Sequence, residues 1–119
     1  MIGKFVRPMD KSILVHHGNL YKTKLIDNTT EPVAILDHIR IQPNMVIYNN
    51  MGLKTEAGMG NFQIFWDATH STPLPDGVTF AIGDVITANF YPYKFVIRIV
   101  RNFYTEGTDK LHHIEMWAD

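Results

Sequence analysis

The sequence predicts an all-β fold, a small antiparallel β-barrel or sandwich with one long loop and an N-terminal arm. Two observations lead to this prediction. Val, Ile, Thr, Phe, Tyr and Trp dominate the apolar runs of the chain, and these residue types favour strands. Turn-forming residues also interrupt the runs about every ten positions, a spacing typical of all-β sandwiches and barrels.

Length and composition narrow the class of protein. The 119 residues, with a mass of 13.7 kDa, suit a single domain over residues 1–119. The absence of cysteine excludes a disulfide framework and a thiolate metal site. No apolar run approaches the roughly 20 residues of a membrane-spanning helix, and residues 1–10 lack the apolar centre of a secretory signal. We expect a soluble, intracellular protein without a membrane partner.

The charge pattern disfavours tight binding to nucleic acid. The formal net charge is -1, and the basic residues are scattered from Lys4 to Lys110. Proteins that grip DNA normally cluster their positive charge to neutralise phosphates. The composition still permits a loose encounter with DNA, such as that of a channel wall with the genome passing through it.

The first predicted elements are an arm and a hairpin. Residues 1–11 form the arm. Residues 12–16 and 20–25 are strand-like and flank the pair Gly18-Asn19, which suits the positive φ values of a tight hairpin turn. The pattern therefore predicts two short strands joined at Gly18-Asn19.

A strand, and then the longest predicted loop, follow this hairpin. Residues 27–32 are polar and end in a proline, which indicates a connecting loop. Residues 33–42 alternate as a strand does, although Leu36 fits neither face and suggests a bulge. Residues 44–60 have weak periodicity of either type, and connections of such length are usually functional or disordered. A plain hairpin excursion is the alternative interpretation of this loop.

The second half of the chain contains the remaining strands. Residues 62–68 should place Phe62, Ile64 and Trp66 on one face, and residues 69–77 form a turn-rich link. Gly83-Asp84 should turn the chain into a strand over residues 85–90.

A long strand and the final strand complete the predicted fold. Tyr91-Pro92 should reverse the chain tightly, because proline presets a turn dihedral. Residues 93–103 form the long strand, residues 105–109 the last turn and residues 111–117 the last strand. In the long strand the expected inward side chains are Tyr93, Phe95, Ile97 and Ile99, and the expected outward ones are Lys94 and Arg98.

Neither a metal site nor a catalytic centre is predicted. The six histidines include two adjacent pairs, His16-His17 and His112-His113, whose rings should point to opposite faces of their strands. A metal site would need one histidine from each pair and a third ligand, His38 or His70. No nucleophile motif surrounds Ser12 or Ser71. We expect no enzymatic activity and no cofactor.

Several short motifs follow one another in a distinctive order over residues 36–117. These motifs are His38-Ile39-Arg40-Ile41-Gln42-Pro43, Phe65-Trp66-Asp67-Ala68, the turn at Pro73, Phe80-x-x-Gly83-Asp84-x-Ile86, Tyr93-x-Phe95 and His112-His113-Ile114-Glu115. Their order resembles the minor capsid protein family of siphophages of Gram-positive hosts. The sequence departs from that family at residues 89–92, where Asn89 is followed by Phe90 rather than by the usual glycine of the hairpin.

The resemblance implies a head-to-tail connector protein of a virion, similar to the stopper, or head-completion, proteins. Such a barrel assembles as a ring below the portal and adaptor, closes the DNA channel after packaging and offers a docking face for the tail. The implied partners are copies of the chain itself, adaptor or portal-side proteins, tail-completion or tail-terminator proteins, and genomic DNA by non-specific proximity. The implied locations are the virion neck and, during assembly, the host cytoplasm.

The connector hypothesis assigns roles to two sets of residues. The first is a channel plug within the long loop, formed by Tyr48, Asn49, Asn50, Met51, Gly52, Leu53, Lys54, Thr55, Glu56 and Met59. The second makes subunit contacts and comprises Phe5, Val6, Tyr91, Val96, Val100, Phe103 and Trp117.

Two alternatives remain open from the sequence. One is a different connector role, that of an adaptor or a tail-completion protein. Adaptors of this type are usually helical. The other belongs to another class, a β module that binds a metal or ligand through its histidines.

Overall fold

The computed structural model describes residues 10–22, 31–43, 61–89 and 91–119, with backbone only for residues 91–93. Within these ranges one 3-10 turn, Lys11–Ile13, precedes six strands. The strands are β1 His16–Tyr21, β2 Ala34–Pro43, β3 Phe62–Asp67, β4 Val85–Ala88, β5 Tyr91–Tyr104 and β6 Leu111–Ala118. None of the helical turns in these ranges has the length and apolar character needed to span a membrane.

The strands close into a barrel in the order β1-β2-β3-β6-β5-β4, with β4 pairing back onto β1. Every neighbouring pair is antiparallel. The predicted all-β fold is confirmed, and the barrel form is the one observed. We call the end at which β1, β3 and β5 finish the upper end, and the opposite end, at which they begin, the lower end.

Apolar side chains fill the barrel interior. The fully buried ones include Leu36, Ile64 and Met116, and Phe95 meets the ring of Phe62 edge-on at a centroid distance of 4.9 Å. Full burial of each large apolar side chain contributes about 1.5–3 kcal/mol. The core therefore extends through the whole barrel. Its buried members are Leu20, Ala34, Leu36, Ile39, Ile41, Ile64, Trp66, Phe80, Ile86, Ala88, Phe95, Ile97, Ile114, Met116 and Ala118.

The hairpin predicted at Gly18-Asn19 is wrong, because both residues lie inside β1. Gly18 pairs with Leu36 of β2 on one side and with Ala88 of β4 on the other. A Cβ atom at Gly18 would collide with the carbonyl oxygen of Thr87. This glycine is therefore needed for close strand approach rather than for a turn. The preceding predicted strand is also wrong, since Asp10 caps a 3-10 turn there by accepting from Ser12 N at 3.0 Å.

The bulge suggested near Leu36 is confirmed. The register with β1 slips between the pairs His16–Ile39 and Gly18–Leu36, and His38 adopts a φ of 56°. The hydroxyl of Ser71 donates to the His38 carbonyl at 2.5 Å. A left-handed backbone conformation in a residue other than glycine is uncommon, so this contact helps to hold the bulge in place.

The predictions for the second half are mostly confirmed, with two corrections in β5. Tyr91 and Pro92 do not form the reversal, because both belong to β5 and Tyr91 already pairs with Ala88. The expected alternation holds for Phe95 and Ile97, which are buried, but a register slip between Ile97 and Ile99 follows. Since a one-residue slip exchanges the two faces of a strand, Val100 rather than Ile99 packs against the core.

The predicted Gly83-Asp84 turn is confirmed and closes the upper end of the barrel. Gly83 has a φ of 94°, and the Asp84 carboxylate, only 3% exposed, accepts from the amide of Ala81 at 2.9 Å. The same carboxylate oxygen lies 2.6 Å from the ammonium group of Lys22. That ammonium group also donates to the carbonyl of Thr79. This ion pair links the end of β1 to the start of β4.

Replacing Gly18 with alanine should destabilise the fold by about 3 kcal/mol or more, because the added methyl group forces β1 and β4 apart. Urea denaturation measures the change. Gly77→Asn is the matched control, since a Cβ at Gly77 meets no atom within 4 Å and asparagine tolerates positive φ. A Gly18→Ala variant as stable as this control would contradict the role of Gly18.

Asp84→Ala should lower the free energy of unfolding by about 2–3 kcal/mol, because it removes a charged acceptor from Ala81 N and Lys22. Asp76→Ala is the control at an exposed carboxylate and should stay within about 0.5 kcal/mol of the wild type. Equal denaturation midpoints for the two variants would show that the contacts of the Asp84 carboxylate contribute nothing measurable.

Candidate functional site

The upper part of β5 extends beyond the strand next to it on one side, β4. Pairing of β5 with β4 ends at Val96–Val85, and Ile97 makes the last hydrogen bonds on that side, to Gly83 and Asp84. From residue 98 to residue 104, β5 pairs only with β6 among the described strands. Within the described ranges, one edge of β5 is therefore left without a neighbouring strand.

The backbone direction along this edge follows from the hydrogen bonds of β6. Asp119 exchanges hydrogen bonds with Val96 of β5, whereas the His112 carbonyl accepts from Ala68 next to β3. Since backbone groups alternate in direction along a strand, the even-numbered residues of β6 from His112 to Ala118 face β3. Val100 and Asn102 lie opposite two of these residues, Met116 and Ile114, so their N–H and C=O groups point away from β6.

Val100 and Asn102 therefore present unpaired backbone groups at an exposed edge. In the described part of the chain, no hydrogen bond joins either backbone to another element. Such an edge is a template for pairing with another extended chain. The side chains beside it are large and accessible, since Phe103 is 37% and Tyr104 53% exposed.

An apolar cleft of about 450 Å³ lies beside this edge. One wall is the segment between β3 and β4, with Leu74, Val78 and Phe80, and the other is the hairpin, with Val100 and Leu111. We call the exposed edge of β5 at residues 98–104, together with this cleft, the acceptor site. Strand-recognition sites combine an open edge, which supplies hydrogen bonds, with pockets for alternate side chains.

The end of the β5–β6 hairpin next to its turn holds the second histidine pair in an unexpected geometry. The two Nδ1 atoms of His112 and His113 lie 2.8 Å apart, so the prediction that these rings point to opposite faces is wrong. The cause is a bulge, since the register slips between Phe103–His113 and Tyr104–Leu111. A bulge re-aims side chains, and here it turns both rings to one side of the strand.

Hydrogen bonds and stacking fix the orientation of His113. Its Nε2 lies 2.8 Å from a Glu115 oxygen, and the other Glu115 oxygen accepts from the Gln63 amide at 2.9 Å. The ring of Phe103 stacks on it at 4.7 Å with an interplanar angle of 3°. In the hydrogen bond between the two Nδ1 atoms of the histidine pair, one ring donates and the other accepts. This cluster orients the exposed end of β5 relative to β6.

The histidines do not meet in the arrangement that a metal site would need. His16 and His17 lie on β1, His112 and His113 lie on β6, and two strands separate β1 from β6. His17 instead contacts Asp37 at 3.2 Å. Across residues 10–22, 31–43, 61–89 and 91–119, no group of three or more histidine, aspartate or glutamate side chains could hold a metal ion.

Asp67, His70 and Ser71 form a hydrogen-bonded turn rather than a reactive arrangement. The Asp67 carboxylate, fully buried, accepts from the amides of Thr69 and His70. Ser71 accepts from the amide of Asp67 and donates to the bulge at His38. These contacts give the carboxylate and the hydroxyl structural roles.

The described motifs that carry the family resemblance lie largely at turns and bulges. Asp67 and Asp84 stabilise two turns at the upper end, and the His112-His113 pair marks a bulge. No protein-family model, curated protein or solved structure matches this chain. The resemblance remains a prediction carried by the order of these motifs.

The predicted contact residues are dispersed over the barrel. Val100 and Phe103 belong to the acceptor site, whereas Val96 is half-buried where β5 leaves β4. Trp117 is only 3% exposed within one chain, so little of its surface is free for a neighbour. Phe5, Val6 and the side chain of Tyr91 lie outside the described residues, and so do all the plug residues, Tyr48, Asn49, Asn50, Met51, Gly52, Leu53, Lys54, Thr55, Glu56 and Met59.

The buried Trp117 is packed against a cation on the outer side of the barrel. The Arg101 guanidinium lies 5.2 Å from the centroid of its ring, within the range of a cation–π interaction. The indole N–H is buried and finds no hydrogen-bond partner in the part of the chain that the structure describes. This pair fixes Arg101 beside the open edge of β5.

Sequence reasoning missed the open edge itself, although a signal for it was present. The predicted strand over residues 93–103 is much longer than the predicted strand over residues 85–90 that precedes it. When two neighbouring strands differ in length, part of the longer strand is left unpaired on the side of the shorter one. The length difference therefore indicates an overhang.

The stability of the barrel should fall below neutral pH in part through His16. Its Nδ1 accepts from the amide of Ile41 at 2.9 Å, and burial, Arg40 and His17 hold the pKa of His16 below its usual value. The unfolded chain therefore protonates His16 more readily than the folded chain does. The stabilising contribution of neutral His16 is complete above the usual histidine pKa and declines as pH falls toward the lower pKa of the folded state. Urea denaturation at pH 7.5 and 5.5 should show a smaller decline for His16→Gln than for the wild type.

The Gly77→Asn variant serves as the control because it changes no titratable group. It should keep the decline of the wild type. The same decline in His16→Gln would show that other groups account for the whole effect.

Proposed function

We propose that this chain is a structural subunit of a phage head-to-tail connector, the stopper ring that closes the DNA channel and provides a docking face for the tail. One observation carries the proposal. A barrel with a complete core nevertheless leaves a strand edge open beside an apolar cleft and two exposed aromatic side chains. Such a surface suits association with other chains.

The two ends of the barrel suit different roles in a ring. Pro43 pairs with Phe62 at the lower end, so the residues that flank the long loop lie side by side there. The acceptor site lies toward the upper end. A subunit with this polarity has the two anchors of its long loop at one end and its acceptor site toward the other, which suits a ring around a channel.

Further exposed apolar side chains extend the surface available for assembly. Ile35 on β2 and Ile82 in the turn before β4 are 62% and 72% exposed. They lie outside the acceptor site and give the subunit additional contacts for the proposed portal-side and tail-side partners. The all-β fold supports the stopper role over that of a helical adaptor.

Replacing residues 48–59 with a Gly-Ser linker of equal length should release packaged DNA, because the proposed plug is removed while its anchors on β2 and β3 remain. Heads assembled with the variant should contain less nuclease-protected DNA than wild-type heads, and electron microscopy should show fewer attached tails. Heads assembled with Asp76→Ala provide the control. Full DNA retention by the linker variant would overturn the plug assignment.

Finding the protein in particles provides the wider test. Purified virions should contain it at the neck, and heads assembled without it should lose DNA and lack tails. Virions without the protein, or normal heads in its absence, would overturn the connector function as a whole.

A further inference from the structure

We propose that the acceptor site binds residues 1–9 of a second copy of the chain as an added β-strand. This inference deepens the proposed function. It rests on that function for the ring, in which each copy serves as both donor and acceptor. The site offers what an extended segment requires: outward backbone groups at Val100 and Asn102 and an adjacent apolar cleft. Hydrogen bonds along the edge would supply affinity, and the cleft would select the side chain inserted into it.

The start of the described chain lies on the side of the barrel opposite the acceptor site. Asp10 begins a segment that runs beside β2, where the Arg40 guanidinium donates to the carbonyl of Ile13 and Leu14 is buried. In the closed order of strands, β2 and β5 are three positions apart in both directions. The point at which the donor segment joins the described chain therefore lies on the side of the barrel opposite the acceptor site, an arrangement that suits head-to-tail contacts in a closed ring.

The sequence before Asp10 suits an edge strand. It supplies the apolar side chains of Ile2, Phe5 and Val6, and nine extended residues reach about 30 Å. That reach is enough to cover the open residues 98–104. Pro8 cannot donate a hydrogen bond, so the added ladder should end before it.

Charge restricts how the same occupant can bind. Residues 1–9 contain Lys4 and Arg7 and no acidic residue. The open edge itself carries Arg98 and Arg101, whereas the turn that follows it contains the exposed acids Glu106 and Asp109. Charge therefore favours a register in which the donor cations lie beside the acidic turn and away from the two arginines. Phe5 is the donor side chain that best matches the apolar walls of the cleft, Leu74, Val78 and Phe80.

Sedimentation velocity of the full chain tests the acceptor half of the inference. The wild type should associate as its concentration rises. Asn102→Pro removes an outward N–H and should weaken association at least about tenfold, with little change in thermal stability. Asn102→Ala keeps the N–H and should associate as the wild type does. Arg101→Pro should lower the melting temperature, because that N–H faces β6.

A mixing experiment tests the donor half. The Phe5→Asp/Val6→Asp double variant keeps an intact acceptor site, and Asn102→Pro keeps an intact donor. Each variant alone should remain monomeric, whereas an equimolar mixture should form heterodimers that grow no further. Amide hydrogen exchange in the heterodimer should show new protection at Val100 and Asn102 of the acceptor chain.

Three results would overturn the inference. If the wild-type chain stays monomeric at its highest soluble concentration, the proposed self-association is wrong. Normal association of the Phe5→Asp/Val6→Asp variant would show that another segment, such as the same edge of the second copy, fills the site. Monomeric variants that fail to complement each other would show that residues 1–9 bind within their own chain. Because these measurements use no phage particle, their failure is distinguishable from failure of DNA retention.

Discussion

Closure of the barrel depends on one close approach between backbones. At Gly18 the first strand comes so near to Thr87 that no side chain fits, and this contact joins β1 to β4 and completes the circle of strands. Without it both strands would carry open edges, and the interior would be accessible to water. The continuous apolar core and the separation into two ends follow from this closure.

Polar groups stabilise the turns at the upper end of the barrel. The buried carboxylate of Asp67 accepts two backbone N–H groups of a tight turn and that of Asp84 accepts one, which compensates for the loss of water around a buried carboxylate. Asp84 also holds Lys22, so the first and fourth strands remain connected beyond their ladder. Buried acids can thus identify turns as well as active sites.

The sequence predicted strands where local pattern decides structure and failed where distant pairing does. The alternation of Ile64 and Trp66 predicted β3 because both faces of that strand follow its own sequence. Gly18-Asn19 carries a strong local turn signal, but the partner that explains Gly18 is Thr87, about 70 residues away. Bulges caused the errors at Ile99 and at the His112-His113 pair, since register slips arise from the partner strand. The sequence predicted Val100 and Phe103 as subunit contacts. Locating the open edge beside them requires knowing where β4 ends.

The overhang of β5 also creates a hazard for the chain before it meets any partner. An edge rich in Val, Phe and Tyr can pair indiscriminately with newly made copies and seed insoluble aggregates. The bulge at Arg98 bends this edge, and the Arg101 cation beside it repels its own copy when two identical edges meet in parallel register. The same few residues thus restrain premature aggregation during synthesis while leaving the strand open to a donor of different sequence.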